Sequence, residues 1–155
     1  PLFLIHEPCG KGACPCYHEP PEGRGRRCAC SRGSVRMLGN DQLHTGTVYG
    51  RMSHDVSELR GDNAALTDPY YGLKPTFPVA SGGLHPGKVA AELKNLGTNI
   101  VLQAGGGIHG HPDGTEAGAR AMRQAADAFM AGVSAEEYAK DHRELARALE
   151  RWGNR

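Results

Sequence analysis

No cysteine follows Cys30 in this chain of 155 residues. All five (Cys9, Cys14, Cys16, Cys28 and Cys30) crowd into the first 30 positions, so no disulfide framework can staple the rest. Aromatic residues are also scarce, at 6%. Together with 22 glycines, this favours a fold with many tight loops over a helical bundle. Charge of neither sign dominates, with Lys+Arg 18 against Asp+Glu 17. The absence of a basic tract argues against nucleic acid or an acidic membrane surface as a partner. No apolar run approaches the roughly 20 residues that span a bilayer. "PLFLI" (Pro1–Ile5) is too short for a signal-peptide core and has no basic residue before it. The length fits one domain with one core, and the expected location is the cytoplasm.

The cysteine distribution divides the chain into two unlike parts. Residues 1–35 show apolar spacing of neither period 2 nor period 3.6 and are rich in Gly, Pro, Arg and Cys, the pattern of loop or disorder. Cys14, Cys16 and His18, then Cys28 and Cys30, could supply thiolate and imidazole ligands. Zinc modules usually space paired cysteines two to four residues apart, so that one turn holds both thiolates. The Cys-x-Cys spacing here strains that turn, and a segment with no fold of its own is the preferred reading.

From Arg36 onward the pattern becomes regular. "DQLHTGTVYG" (Asp41–Gly50), "KPTFPVASGG" (Lys74–Gly83) and "NIVLQAGGG" (Asn99–Gly107) each run from an apolar strand into glycine. Each is followed by a helical pattern. The first helix lies in "SHDVSELRGDNAALTD", broken by Gly61. The second carries Pro86 in its first turn, Val89, Leu93 and Leu96 on one face, and Gly97 as its stop. The third shows Met122, Ala125, Ala126, Phe129, Met130 and Val133 as one core-facing stripe. A last helix opens with a capping box, Ser134 and Glu137, and presents Tyr138, Leu145, Leu149 and Trp152 on one side.

Apolar strands that each precede a helix make a parallel sheet covered by helices. Two architectures compete. Gly105-x-Gly107-x-x-Gly110 is a literal GxGxxG after a strand, but a dinucleotide fold also needs a second strand ending in an acidic residue about 20 positions on. His111, Pro112 and Asp113 follow instead, and then helical patterns only. The alternative is part of an eight-stranded β/α barrel, where ligands bind at the C-terminal ends of strands and phosphate often sits after strands seven and eight. Glycines at Gly82–Gly83 and Gly105–Gly107 then let main-chain N–H groups approach phosphate oxygens without a Cβ in the way. The plain alternative is that they are tight-turn residues only.

The same residues carry a resemblance. "DQLHTGTVYGRM", "KPTFPVASGGLHPG", "VLQAGGGIHGHPDGTEAGARAMRQA" and "EEYAKDHRELARALERWG" closely resemble the C-terminal third of the large subunit of ribulose-1,5-bisphosphate carboxylase/oxygenase (RuBisCO). The wording "GGLHPG" and "GGGIHGHPDGT" is similar to the archaeal form III. The resemblance covers about Arg36 to Gly153. It implies an α/β fold: strands six to eight of a (β/α)₈ TIM barrel with their helices and a C-terminal helix, over residues 36–155. It implies that Ser81, Gly82 and Gly83, with Gln103, Ala104, Gly105 and Gly106, line a bisphosphate site. Gly83, Gly105 and Gly106 would hold one phosphate by main-chain N–H, and His44 and Ser81 would help hold the other.

Three departures qualify the resemblance. The loop after strand six carries a catalytic lysine in the family, and Arg51 stands in the matching place; arginine keeps the charge and changes reach and geometry. The family's Mg²⁺ ligands belong to an earlier part of the barrel that these 155 residues do not match. Residues 1–35 match nothing in the family pattern, as a reading-frame shift or a misplaced gene start would produce. Three functional expectations follow. The first is a fragment of a form III carboxylase, a lyase that fixes carbon dioxide on ribulose bisphosphate to give 3-phosphoglycerate in nucleotide-ribose salvage. This chain would be inactive alone and built on the family's dimer-based homo-oligomer. The second is a RuBisCO-like enolase or isomerase acting on a related sugar phosphate. The third is a Cys-rich metal-binding module fused to a barrel remnant.

Overall fold

The computed structural model describes residues 4–5, 29–50 and 55–154. Its centre is a parallel sheet of β1 (Leu4–Ile5), β2 (Gln42–His44), β3 (Phe77–Ser81) and β4 (Val101–Gln103), in the spatial order β1-β2-β3-β4. The register pairs Leu4 with Gln42, His44 with Val79 and Ser81 with Gln103. Each strand lies beside its predecessor in the chain, the winding of a β/α barrel wall. A dinucleotide fold needs a reversal of strand order to open its crevice, and the described strands contain none.

The three expected strand–helix units are present as β2, β3 and β4 with their helices. The opening segment departs from expectation in two places. Leu4 and Ile5 add β1, too short to show a period, and Ala29–Met37 form a helix, α1. What secures α1 is tertiary. The Arg36 side chain is 3% exposed and donates to the carbonyls of Asp68 (2.6 Å), Leu73 (2.9 Å) and Lys74 (3.0 Å). Asp68 is the C-cap of α2 (Val56–Thr67), so a cation meets the negative end of that helix. The cysteines and His18 proposed as metal ligands lie outside the described residues, save Cys30, which falls within α1.

Gly61 does not break α2. Asp55 caps the helix by accepting from the Ser57 N–H at 2.8 Å. Leu59, Asp62, Asn63 and Leu66 then form one buried face. Gly61 stands exposed opposite it, where a glycine costs about 1 kcal/mol of propensity, less than burying two leucines returns.

After β3, a 3₁₀ turn (Pro86–Lys88) leads into α3 (Val89–Leu96), which stops at Gly97 with φ 82°. After β4 come a short α4 (Gly106–His109) and the long α5 (Thr115–Met130). The buried face of α5 is Gly118, Ala121, Ala125 and Ala128. Met122, Ala126 and Phe129 flank it, whereas Met130 is 68% exposed and Val133 37%, so the C-terminal end of the expected stripe is surface. Small residues prevail because α4 lies so close: a Cβ on Gly118 would stand 2.1 Å from the Ile108 carbonyl oxygen.

The expected last helix is two. Ser134 does cap, accepting from the Glu137 N–H at 3.2 Å, but α6 (Ala135–Tyr138) ends after one turn and α7 (Arg143–Trp152) starts afresh at His142. The break lets Leu145 and Ala148 turn inward. Leu145 joins Val89, Leu93, Ala125 and Ala139 in the core between α3, α5 and α7. No described helix is long and apolar enough to cross a membrane.

Candidate functional site at the strand tips

Because the sheet is parallel, β2, β3 and β4 all point their carboxyl ends to one side. Their final residues are His44, Ser81 and Gln103. His44 pairs with Val79, and Ser81, two residues on, faces the same way. The His44 imidazole Nδ1 and the Ser81 hydroxyl share a hydrogen bond of 2.6 Å. The pair is half-buried and Gln103 is exposed, so these polar groups remain within reach of solvent.

The glycines behind these tips separate by cause. Gly82 and Gly83 have φ of 113° and 81°, which the turn itself demands of glycine. Gly107 is a packing residue, since a Cβ there would come 2.1 Å from the Leu84 carbonyl oxygen. Gly105 and Gly106 answer to neither requirement. Gly105 has φ −100° at the N-cap of α4, and a Cβ on either residue would meet nothing within 4 Å. Both face open space beside Ala104 and Gln103, and the first N–H groups of a helix have no partner inside it.

The loop leaving β2 closes on the same place. Thr47 Oγ1 donates to the Gly82 carbonyl at 3.5 Å, and a Cβ on Gly50 would lie 1.9 Å from that carbonyl oxygen. Arg51, the next residue, lies outside the described residues. The structure thus brings together His44, Ser81, Gly82 and Gly83, with Gln103, Ala104, Gly105 and Gly106 on the neighbouring strand tip. The sequence reading missed Glu92, which is buried on α3 and accepts hydrogen bonds from the β2 loop. Its signal was an acidic residue three positions after Val89, on the face assigned to the core.

The donors at the tips are an imidazole, a hydroxyl, an amide and main-chain N–H groups. Mg²⁺ takes a near-octahedral shell rich in carboxylate or phosphate oxygen and water, and this set does not fit it. Among the described residues, no group of three or more His, Cys, Asp or Glu is arranged for a metal. A separate open groove of about 600 Å³ lies on the outer side, between α3 and the end of α5, lined by Tyr49, Lys94, Phe129 and Val133.

A family model described as ribulose bisphosphate carboxylase large chain, catalytic domain, matches residues 15–152. A ribulose bisphosphate carboxylase from Pyrococcus abyssi is 48% identical over 120 residues, 77% of this chain and 28% of that protein. The crystal structure of octameric RuBisCO from Pyrococcus horikoshii superposes with a TM-score of 0.77 at 45% identity, covering 79% of this chain and 30% of that one. A RuBisCO-like protein (MtnW) from Alicyclobacillus acidocaldarius superposes with a TM-score of 0.80 at 35% identity, covering 97% of this chain and 36% of that one. The chain thus spans roughly a third of the length of each.

Proposed function

This chain belongs to the ribulose bisphosphate carboxylase large-chain family, and we propose that it is the phosphate-gripping C-terminal part of a form III carboxylase barrel, strands six to eight. One observation carries the reading: Gly105 and Gly106 face open space that neither backbone conformation nor packing explains. Main-chain N–H groups of Gly83, Gly105 and Gly106 hold one phosphate of a ribulose-1,5-bisphosphate-like sugar. His44 and Ser81, already hydrogen-bonded to each other, help hold the second. Gln103 and Ala104 line the floor between them, and Gly82 sets the turn. Arg51 takes the place of the family's catalytic lysine and presents a planar, permanently charged fork instead of a point charge.

The chain by itself is a binder, not a catalyst. Its described residues supply no oxygen-rich metal site, and no step is derived through Mg²⁺. Activity belongs to the assembled barrel in a cytoplasmic homo-oligomer, as the octameric P. horikoshii relative suggests. The part proposed for this role is residues 36–155, although the family match already begins at residue 15 and β1 joins the same sheet. The test is labelled carbon dioxide fixation with ribulose bisphosphate and Mg²⁺. The expected result is no turnover above blank for this chain alone, and turnover would overturn the reading.

The second reading is a RuBisCO-like enolase or isomerase. It is favoured by Arg51 and by the superposition on the MtnW protein over 97% of this chain. A full-length protein carrying this segment distinguishes the two. Solvent-proton exchange into the sugar phosphate without carbon dioxide incorporation supports the second reading, and incorporation supports the first.

A further inference from the structure

We propose that Glu92 is a positioning residue that clamps the β2 loop from behind and thereby sets the Gly82–Gly83 turn. Its carboxylate is 0% exposed. Oε2 accepts from the Val48 N–H at 3.0 Å and Oε1 from the Tyr49 N–H at 2.9 Å. The described residues give it no cationic partner; its ligands are two consecutive main-chain N–H groups, 44 and 43 residues away in the chain. Burying a carboxylate is costly unless hydrogen bonds replace the lost water. Glu92 has a second favourable term, because it stands in the first turn of α3, where the helix dipole welcomes negative charge.

A leucine would satisfy the apolar surroundings of this position more simply, as Val89 and Leu93 do beside it. What the carboxylate adds is a fixed place for the Val48–Tyr49 peptide. One residue before that peptide, Thr47 reaches the Gly82 carbonyl, and one residue after it, Gly50 packs on the same atom. The chain of contact therefore runs from α3 through the clamped loop to the turn whose next N–H, that of Gly83, is assigned to phosphate. The phosphate end of this chain rests on the function proposed above; the clamp itself does not.

The experiment separates the two. Amide exchange is followed by NMR in this chain, in Glu92→Leu and in Glu92→Gln, with Ala125 and Leu145 as reporters of the core. Glu92→Leu is expected to speed exchange at Val48 and Tyr49 about tenfold or more, the loss of a hydrogen bond to a charged group, while both reporters hold. Glu92→Gln keeps one acceptor and turns an NH₂ towards the other amide, so one of the two stays protected. Unchanged exchange at both loop amides in Glu92→Leu, or equal acceleration at Leu145, overturns the clamp. Ribulose-1,5-bisphosphate is then titrated into the wild type, Glu92→Gln and Gly97→Ala. A fivefold or larger loss in Glu92→Gln with none in Gly97→Ala supports the coupling, and equal affinities overturn it. If the wild type itself does not bind, the phosphate reading fails while the clamp is still decided by exchange.

Discussion

The run Gly105–Gly106–Gly107 divides between ligand and packing, and substitution separates the two roles. Gly105→Val has room to fold, because nothing stands within 4 Å of the new Cβ. In a full-length protein carrying this segment it is expected to weaken a bisphosphate analogue about tenfold or more, the loss of one or two charge-assisted hydrogen bonds of roughly 1.5–3 kcal/mol each. Gly107→Ala drives a methyl against the Leu84 carbonyl and is expected to cost about 1–3 kcal/mol of stability. Gly97→Ala, at φ 82° and ψ 180° and with open space around it, costs about 1–3 kcal/mol and leaves affinity unchanged. Calorimetry and urea unfolding on the three variants check all of this. Normal binding by a folded Gly105→Val protein would reduce the glycine loop to a turn.

Helices here are secured by polar contacts that no periodicity announces. Arg36 joins α1 to the C-cap of α2 and to the loop that follows it, through three carbonyls within 3.0 Å. Arg36→Met keeps the aliphatic stem and is expected to cost more than about 2 kcal/mol, read as a lower urea midpoint. At the other end, Gln124 on α5 spans the start of α7, donating to Glu144 Oε2 at 2.9 Å and accepting from the Leu145 N–H at 3.0 Å. The hydrogen bond from Gln124, then one from the main chain, and finally the charge and hydrogen bond of Arg120 hold the Glu144 carboxyl below its ordinary value. A carboxyl depressed in the folded state stabilises it above the unfolded-state value, about 4.3. That contribution fades as pH falls through the folded value. Glu144→Gln is therefore expected to lower the urea midpoint at pH 7, with the gap to the wild type shrinking as pH falls below about 4.3. Trp152, the single tryptophan, stacks on His85 with centroids 5.6 Å apart and reports α7 directly by fluorescence.

At the scale of the whole molecule, the described residues form four parallel strands with β1 and β4 at the edges, and an edge strand presents N–H and C=O groups to be paired. A barrel closes only when strand number and stagger agree. The inactivity proposed for the isolated chain rests on that geometry together with its donor set. One apolar cluster, with Leu93, Ala125 and Leu145, packs between α3, α5 and α7, and Leu43, Leu59, Leu66 and Val79 are buried as well. Phe77, on β3, remains 48% exposed.

The sequence by itself determined the parallel α/β class, three of the strands, the α3 stop at Gly97 and the residues gathered at the tips. These are local matters: apolar runs ending in glycine, a proline at a helix start, motifs tens of residues long. Its errors came where distant groups decide. Gly61 lies inside a helix because the opposite face buries Leu59 and Leu66. Ala29–Met37 form a helix with Arg36 bonded to carbonyls some 30 residues on. The last helix splits so that α7 can turn Leu145 and Ala148 inward. Only the tertiary structure told Gly105 from Gly107, since one faces open space and the other a carbonyl from the preceding unit. It alone turned Glu92 from an oddity on an apolar face into a ligand for two backbone amides. Spacing along a chain records which side of a helix a residue occupies, and the hydrogen-bond partner waiting on that side is supplied by another element.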